Sequence, residues 1–503
     1  MHIEEVLRGV GIVRRAGSWV DVTSVEYDSR KVKPGALFVA MQGGTTDGNS
    51  YIARAIESGA VAIVTDSAMT FQDAAGKYSH VTLAEVAHGR SALAAVAANY
   101  YGHPEKKLAL SGVTGTNGKT TTAFLLNAML NSIDRKTVLV GTIGYHVAGV
   151  VVESPHTTPE SRDLLELLAK GVSAGATEAV MEVSSHALEQ GRVWSLPFDI
   201  AIFTNLTRDH LDYHGTMEAY FAAKTMLFDG SNGVVPRVSV INIDDSHGAE
   251  LAVKAREAGS EMFSYGLSVG EFRAEDVQMS AAGMQFMLIA PNGSVVIRTR
   301  LTGKVNVYNL LAASAAAFAR RLTLDEIATG AASLACVPGR FQTVDAGQPF
   351  TVVVDYAHTD DALRNLIALA REFVRPANGR VIMLFGCGGD RDRTKRPLMG
   401  RAAGEGSDFV VLTSDNPRSE DPEEILRDVL PGLEATRVEF ITEVDRAKAI
   451  QIAVGGARSG DIVLIAGKGH EKTQTLRERV IPFDDVEVAG QAIRALARTG
   501  VNR

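Results

Sequence analysis

One stretch of the chain, residues 108–126 with the sequence LALSGVTGTNGKTTTAFLL, constrains the fold more than any other. It predicts a short apolar strand, a glycine-rich turn and a helix that begins at once. Glycines allow successive backbone N–H groups to face one anion, and the helix N-terminus adds its positive dipole. Lys119 can offset phosphate charge, and the Thr120 hydroxyl can hold Mg²⁺. Although Val113 stands where the general G-x-x-x-x-G-K-[ST] pattern has glycine, the order of strand, loop and helix predicts a phosphate-binding loop.

The length and charge of the chain exclude several classes of protein. At 503 residues it is too long for one hydrophobic core, so about two to four domains are expected. The net charge of −8 argues against a nucleic-acid partner. Cys336 and Cys387 are too few for a disulfide framework or a cysteine zinc site. The N-terminus lacks the pattern of a signal peptide, and no apolar run is long enough to span a bilayer. We therefore expect a cytoplasmic protein without stable membrane insertion. A monomer is also expected, although none of these features bears on the oligomeric state.

Residues 1–104 are predicted to form a small α/β domain. Residues 25–40 indicate a strand, a Pro-Gly turn and a second strand. A helix over 51–59, a strand over 60–65 and a helix over 83–101 should follow. Gly102-His103-Pro104 separates this domain from the next.

Residues 105–337 alternate strands with helices. Strands are predicted at 137–141, 178–183, 199–204 and 238–242, which favours a mostly parallel, doubly wound sheet. Beyond about residue 271 the pattern becomes strands around an Asn292-Gly293 turn, which predicts a β-hairpin insertion before a helix over 306–320. Ligands gather at the carboxyl ends of such strands, so Glu182 and the segment Asp209-His210 are candidate site residues.

Residues 338–503 predict a second open α/β sheet that resembles a Rossmann arrangement. Its strands should lie at 351–354, 380–385, 409–413, 438–441 and 462–466. The glycine-rich strand ends do not follow the G-x-G-x-x-G pattern, so dinucleotide binding is excluded. The predicted fold is thus α/β with three domains.

Two groups of residues in the central domain suggest chemistry. Thr120 and Glu182 are hard oxygen ligands suited to Mg²⁺, with His210 as either a further ligand or a surface histidine. Lys224 shares one helical face with Phe221 and Phe228. A semi-buried lysine has a lowered pKa and becomes a nucleophile, but from spacing alone a lysine that extends its ammonium to solvent is favoured.

The last domain places charged residues directly after three strands. Arg391 and Arg418 follow two of them, and an arginine can bind a carboxylate through two parallel hydrogen bonds. Glu471 follows a third strand and can pair with an ammonium group. Although solvated loop charges would explain any one of these segments, the three together predict a site for a zwitterionic small molecule.

Eight segments carry a resemblance to a known family: GTNGKTT at 115–121, MEVSSH at 181–186, TNLTRDHLDYHG at 204–215, AAKTMLF at 222–228, DYAHT at 355–359, GCGGDRDRTKRPLMG at 386–400, SDNPRSEDP at 414–422 and AGKGHE at 466–471. Together they resemble the Mur ligases, in the same order and across all three predicted domains. The resemblance implies an ATP-dependent amide ligase of peptidoglycan synthesis. Its substrates would be UDP-N-acetylmuramoyl-L-Ala-D-Glu and meso-2,6-diaminopimelate, joined through an acyl phosphate with two Mg²⁺ ions.

The resemblance also implies roles for individual residues. ATP would be bound by Gly115, Thr116, Asn117, Gly118, Lys119, Thr120, Thr121, Asn309, Arg340 and Asp355. The UDP-linked muramoyl dipeptide would be bound by Ser29, Gly44, Thr45, Thr46, Thr157, Thr158, Ser184, Gln190 and Arg192. Diaminopimelate would be bound by Arg391, Asp415, Asn416, Pro417, Arg418, Gly467 and Glu471.

Catalysis would rest on Lys119, His210 and Lys224, and the metal ions on Thr120, Glu182, His210 and Lys224. Lys224 matches the lysine that is carbamylated in these enzymes, which reverses the interpretation drawn from spacing alone. Lysine-adding relatives lack the arginine of the DNPR segment, so Arg418 favours diaminopimelate. The alternatives are a folylpolyglutamate synthase, against which the DNPR and GKGHE segments argue, and a phosphate-loop kinase or nucleotide-switch module.

Overall fold

The computed structural model describes residues 1–44, 46–280, 283–375, 378–477 and 479–498. Within these ranges, the strands form three α/β sheets, a separate three-stranded sheet and a two-stranded ribbon. Predicted strand positions in the two larger sheets agree with the observed strands to within one or two residues. The α/β class with a central phosphate-loop sheet is therefore confirmed.

The first unit contains α1 (Ile3–Val6), β1 (Ile12–Ala16), β2 (Ser24–Glu26), β3 (Ala36–Ala40), α2 (Ile52–Glu57), β4 (Ala62–Thr65), α3 (Ala68–Lys77), β5 (Thr82–Val86) and α4 (Gly89–Tyr100), with a 3₁₀ turn at Gly48–Tyr51. Its sheet has the order β1-β5-β4-β3-β2, and only β1 is antiparallel to its neighbour. The predicted strands around Pro34-Gly35 therefore pair in parallel.

The prediction of one helix over residues 83–101 was wrong at its start. Residues 82–86 form β5, which pairs with β4 and is buried along its whole length, and the helix begins only at Gly89. A short apolar run does not distinguish a buried strand from a buried helical segment by periodicity, so only the neighbouring strand decides. The helix α3 was not predicted.

The central unit contains β6 (Ala109–Thr114), α5 (Lys119–Asn131), β7 (Thr137–Gly141), β8 (Gly144–Val147), β9 (Val150–Val152), α6 (Ser161–Ser173), β10 (Glu178–Glu182), α7 (Ser185–Glu189), β11 (Phe198–Phe203), α8 (Leu211–His214), α9 (Met217–Thr225), β12 (Val238–Asn242), α10 (Gly248–Glu257) and β13 (Glu261–Tyr265), after a 3₁₀ turn at Pro104–Lys106. The strand order is β13-β12-β11-β6-β10-β7-β8-β9. The strands are parallel from β13 to β7, and β8 and β9 add an antiparallel edge.

The register of this sheet places the predicted site. Glu182 at the end of β10 lies beside Val113, and Phe203 at the end of β11 lies beside Thr114, the last residue before the phosphate loop. The carboxyl ends of β10, β6 and β11 therefore meet at one edge of the sheet, as expected for a ligand site in a parallel sheet.

A three-stranded antiparallel sheet follows, formed by β14 (Arg273–Ser280), β15 (Gly283–Ala290) and β16 (Gly293–Thr299). Two helices come after it, α11 (Lys304–Ala319) and α12 (Leu324–Ser333). The predicted hairpin is present as β15 and β16, and β14 adds a third strand. Helix α11 is buried nearly all round, because it packs against α5, α12, β14 and the central strands β11, β12 and β13.

The last unit contains β17 (Gln342–Thr343), β18 (Thr351–Asp355), α13 (Asp360–Val374), β19 (Val381–Phe385), α14 (Lys395–Gly406), β20 (Phe409–Thr413), α15 (Pro422–Glu434), β21 (Glu439–Glu443), α16 (Arg446–Gly455), β22 (Ile462–Ala466), β23 (Thr473–Leu476), β24 (Arg479–Pro482) and α17 (Asp485–Arg498). Its sheet has the order β17-β18-β22-β19-β20-β21, with all strands but β17 parallel. β23 and β24 form the two-stranded ribbon. Over the described ranges, no helix combines the length and the apolar character that crossing a membrane requires.

Candidate active site

The predicted phosphate loop has the backbone conformation that such a loop requires. Gly115 and Gly118 have φ values of 147° and 88°, which residues with a side chain rarely adopt, and Gly118 immediately precedes α5. The loop is fastened to the segment after β11, since the Thr116 N–H donates to the Asn205 carbonyl at 2.8 Å and the Asn117 N–H to the Asn205 side chain at 2.9 Å. The predicted order of strand, loop and helix is confirmed.

Lys119 folds back over this loop. Its ammonium donates to the carbonyls of Gly115 at 2.9 Å and Thr116 at 2.8 Å. Burial lowers the pKa of Lys119, while Glu182 and Asp209 oppose that effect. An anion that replaced these carbonyls would be bound by a cation already placed at the mouth of the loop.

Thr120, in the first turn of α5, lies against Glu182, at the carboxyl end of β10. The Thr120 hydroxyl donates to Glu182 Oε2 at 2.9 Å, and the Thr142 N–H donates to Glu182 Oε1 at 2.8 Å. Both side chains are almost completely buried. A hydroxyl and a carboxylate are hard oxygen donors of the kind Mg²⁺ prefers, so this pair fits the predicted ion.

Lys224 is buried, which contradicts the interpretation from spacing that its ammonium reaches solvent. Lys224 is 1% exposed, its Nζ donates to the Gly115 carbonyl at 2.9 Å, and Nζ lies 4.4 Å from the centre of the Tyr220 ring. Burial, together with the nearby charge of Lys119, holds the pKa of Lys224 well below its usual range. A neutral amine is the form that reacts with CO₂, so this environment fits the predicted carbamate.

His210 lies in a group of aromatic rings at the N-terminus of α8. Its ring centre is 4.9 Å from that of His186 and 5.9 Å from that of Tyr220, and Nε2 is 3.4 Å from Asp209 Oδ2. Burial lowers the pKa of His210, so its ring is neutral and able to coordinate a metal. Among the described residues, no three His, Cys, Asp or Glu side chains converge as a ready-made metal site.

The other residues expected to contact ATP lie around the loop. Thr121 is buried in the first turn of α5, and Asn309 is buried beneath Gly118, within 3.4 Å of the Thr122 hydroxyl. Arg340 Nη2 donates to the Thr120 hydroxyl at 3.1 Å. Asp355 accepts from the N–H groups of Phe341 at 2.6 Å and Ala357 at 2.8 Å, and burial raises its pKa.

Five residues expected to bind the muramoyl dipeptide form a connected group next to Glu182: Thr157, Thr158, Ser184, Gln190 and Arg192. Thr158 Oγ1 donates to the Glu182 carbonyl at 2.9 Å, and the Ser184 N–H donates to Thr158 Oγ1 at 3.1 Å. Thr157 and Thr142 hydroxyls are 3.0 Å apart. Arg192 donates to the Thr158 carbonyl at 2.9 Å and to Gln190 Oε1 at 2.8 Å.

The first unit contributes fewer of the predicted contacts. Ser29 is buried, whereas Gly44 and Thr46 lie in an exposed turn in which the Gly43 N–H donates to the Thr46 carbonyl at 3.1 Å. Thr45 lies outside the described residues. Glu160, which sequence reasoning missed, pairs with both Arg192 at 3.3 Å and Arg90 at 2.8 Å, and so joins the first unit to the central one.

The residues expected to bind diaminopimelate meet at the carboxyl ends of β19, β20 and β22. Arg418 has a φ of 53°, and its guanidinium donates to the Gly389 carbonyl at 2.6 Å. Burial and the neighbouring charge of Arg391 lower the pKa of Arg418. Pro417 lies in the same loop, and Arg391 is exposed beside it. Two guanidiniums held close together favour an anionic ligand group.

Beside the two arginines lies a carboxylate-rich wall, formed by Asp415, Asn416 and Glu471. Asn416 Nδ2 donates to Glu471 Oε2 at 2.7 Å, and Gly467, with a φ of 114°, approaches Asp415. Among the described residues, buried Asp415 Oδ1 has no partner within hydrogen-bond distance, and burial raises the pKa of Asp415. A buried carboxylate oxygen without a donor favours an ammonium-bearing ligand.

Lys468, which sequence reasoning passed over, is the centre of this wall. It is completely buried, and its ammonium donates to Glu471 Oε2 at 3.0 Å and Asn416 Oδ1 at 3.1 Å, with Asp415 Oδ1 at 3.7 Å. The sequence places Lys468 inside the Gly467–Glu471 segment, but the spacing of residues in that segment does not predict that its side chain points inward.

The last unit also contacts the phosphate loop directly. Besides the bond from Arg340 to Thr120, Asn117 Nδ2 donates to Asp361 Oδ2 at 3.2 Å. Arg340 lies 4.7 Å from the centre of the Tyr356 ring, whose own centre is 5.1 Å from that of His470. These features define a phosphate-loop α/β protein in which a last unit with a second open sheet contacts the phosphate loop.

Comparison with known proteins identifies the family within this class. Models of the Mur ligase family catalytic domain, the Mur ligase middle domain and the Mur ligase glutamate ligase domain match residues 21–101, 113–317 and 339–469. The UDP-N-acetylmuramoyl-L-alanyl-D-glutamate–2,6-diaminopimelate ligase of Solibacter usitatus is 50% identical over 98% of each chain. That of Geobacillus thermodenitrificans is 44% identical over 96% of this chain and 98% of its own. A solved structure of a ligase with this name is 34% identical, covers 99% of both chains and has a TM-score of 0.69. The chain belongs to the Mur ligase family.

Proposed function

We propose that the protein is an ATP-dependent ligase that joins meso-2,6-diaminopimelate to the D-Glu of UDP-N-acetylmuramoyl-L-Ala-D-Glu, yielding the UDP-linked tripeptide of peptidoglycan synthesis. The observation that carries this proposal is the amino-acid site, in which Arg391 and Arg418 adjoin the wall formed by Asp415 and Glu471. That arrangement suits a ligand bearing both a carboxylate and an ammonium. It agrees with the substrates in the names of the relatives.

The first step would be formation of an acyl phosphate. The γ-carboxylate of D-Glu attacks the γ-phosphorus of ATP, and ADP leaves. Lys119 would exchange its carbonyl partners for phosphate oxygens and so offset the charge of the transferring group. The group formed by Thr157, Thr158, Ser184, Gln190 and Arg192 would hold the dipeptide beside Glu182. Asn309, Arg340 and Asp355 would bind the adenine, phosphate and ribose of ATP.

Thr120, Glu182 and His210 would hold Mg²⁺, which, when bound, neutralises phosphate charge and orients the reacting oxygens. Lys224 supports a second ion in a different way. Its neutral amine nitrogen would bond to the carbon of CO₂ and release a proton, which turns a potential cation into a carboxylate. The buried position of Lys224 beside Gly115 supports this assignment, because a carboxylate there would face the same phosphates as the loop.

The second step would be attack on the acyl phosphate by the amine of diaminopimelate, which gives an amide and inorganic phosphate. Arg418 and Arg391 would bind the distal carboxylate, which lysine lacks, and Glu471 would pair with the ammonium on the same carbon. Asp415, Asn416, Pro417 and Gly467 would complete the pocket. Contact between the last unit and the phosphate loop would exclude water from the intermediate.

The remaining assignments belong to the same proposal. Residues 1–104 would form the UDP-substrate domain with Ser29, Gly44, Thr45 and Thr46 near the nucleotide, 105–337 the ATP domain and 338–503 the amino-acid domain. The protein would act in the cytoplasm, as a monomer.

The decisive experiment measures phosphate release from ATP with UDP-N-acetylmuramoyl-L-Ala-D-Glu, with meso-diaminopimelate or L-lysine added in parallel. We expect release that depends on diaminopimelate and not on lysine. Release with lysine would keep the ligase but overturn the role of Arg418. Absence of release with either amino acid would favour a kinase or a nucleotide switch instead.

A further inference from the structure

Arg208 lies between the phosphate loop and the amino-acid site. It follows Thr207 in the segment between β11 and α8. The Thr207 N–H donates to the Thr116 hydroxyl at 3.0 Å, and that hydroxyl lies 3.1 Å from the Thr207 carbonyl. Both the N–H and the carbonyl of Thr207, the residue before Arg208, are therefore hydrogen-bonded to the phosphate loop.

The other end of the Arg208 side chain reaches the last unit. Nη2 donates to the Thr394 hydroxyl at 2.8 Å and lies 3.8 Å from Asp392 Oδ2. Because the Thr394 hydroxyl donates its own hydrogen to Asp392 Oδ1 at 2.6 Å, its oxygen is free to accept from Arg208. Asp392 directly follows Arg391, so the contact fixes the loop that carries one of the two carboxylate-binding arginines.

We propose that Arg208 is a positioning residue that couples the amino-acid site to the phosphate loop, so that the incoming amine is held where the acyl phosphate forms. This inference rests on the proposed function. Without the link, the intermediate would form but meet water more often than the amine. The water oxygen would then bond to the acyl carbon while the bond from that carbon to the phosphate oxygen breaks. That reaction restores the D-Glu carboxylate and releases phosphate without product.

The test compares phosphate and tripeptide in one reaction, using the full chain with all substrates at saturation. Because the Arg208 side chain is 39% exposed, Arg208→Ala should fold normally. We expect tripeptide formation to fall by ~10-fold, the size expected for a lost charged hydrogen bond. Phosphate release should exceed tripeptide formation, whereas the wild-type protein should give equal amounts.

Three further variants separate coupling from a structural role. Thr394→Val removes the acceptor and should produce the same excess of phosphate, and the double variant should be no worse than Arg208→Ala alone. Arg364→Ala, which breaks an exposed ion pair with Glu405 in the same unit, should keep the wild-type ratio.

The outcomes distinguish this inference from the proposed function. Wild-type stoichiometry in Arg208→Ala, whether its rate is normal or reduced, would overturn the coupling role. A wild-type protein without diaminopimelate-dependent phosphate release would overturn the proposed function instead.

Discussion

Two buried lysines, Lys224 in the central unit and Lys468 in the last, show how the same side chain serves different purposes. Lys224 has a backbone carbonyl and the face of Tyr220 as neighbours, and its pKa is strongly lowered. Lys468 is surrounded by Asp415, Asn416 and Glu471. Burial alone therefore does not define the surroundings of a lysine: Lys468 is placed among carboxylate and amide oxygens, whereas Lys224 faces a carbonyl and an aromatic ring.

The largest expected effect comes from removing the neutral amine. Lys224→Ala should lower ligase activity by about 10²–10³-fold, because the proposed carboxylate beside the phosphates is lost. Added acetate or formate should restore part of the activity, which an assay of diaminopimelate-dependent phosphate release can measure. Incubation of the wild-type protein with ¹³C-labelled CO₂ should give a carbamate signal in ¹³C NMR that Lys224→Ala lacks.

Lys254→Ala, whose side chain is 40% exposed on α10, serves as the matched control and should have wild-type activity. Wild-type turnover of Lys224→Ala, or the absence of a labelled carbamate in the wild-type protein, would show that Lys224 does not carry the proposed carbamate.

The complementary change is Lys468→Met, which leaves Asp415 and Glu471 without their shared cation. We expect a loss of about 3 kcal/mol in the free energy of unfolding, because a buried carboxylate loses its partner. Urea denaturation followed by circular dichroism can measure this loss. The KM for diaminopimelate should rise while the KM for ATP stays constant, and short-chain acids should not rescue the variant. Rescue by acetate would show that the two lysines act alike.

A smaller effect is expected at Arg418, in the proposed carboxylate-binding end of the amino-acid site. Arg418→Lys keeps the positive charge but loses the two parallel hydrogen bonds of a guanidinium, so the KM for diaminopimelate should rise by ~10-fold. Steady-state kinetics with diaminopimelate and L-lysine should show weaker discrimination between them. Arg427→Lys, at an exposed position of α15, should change neither value. If Arg418→Lys kept the wild-type preference for diaminopimelate over L-lysine, Arg418 would not be the residue that sets this specificity.

The smallest effect concerns the scaffold of that site. Hydrogen bonds from Arg396 lower the pKa of Glu420 to about 2, and its carboxylate also accepts the Asp390 N–H at 2.6 Å. Since the pKa is lowered in the folded state, the stabilisation is present above the ordinary pKa of 4.5 and is lost as the pH falls towards 2.

Glu420→Gln should therefore lower stability by about 1 kcal/mol at pH 7 and by less at pH 3. Thermal unfolding at both pH values can measure the difference, with Glu439→Gln as an exposed control. An equal loss at both pH values would show that the charge of Glu420 is not the cause.

The sequence was most informative where local pattern and chemistry agree. Residues 108–126 predicted β6, the loop and α5, because the glycines, Lys119 and the apolar flanks each point to the same structure. It was least informative where a short apolar run is compatible with both a buried strand and a buried helical segment. Residues 82–86 became β5 only because β4 lies beside them.

The sequence by itself determined the chemistry available to this protein: the phosphate loop, the paired arginines of the last unit and the family to which the motifs belong. Only the tertiary structure decided which of these groups act together. The burial of Lys224, the inward position of Lys468 and the link from Arg208 to Thr394 depend on residues 52 to 186 positions apart in sequence. Spacing along a chain reports on neighbours within one helix or strand, whereas a pKa or an ion pair depends on whichever elements the fold packs around the group.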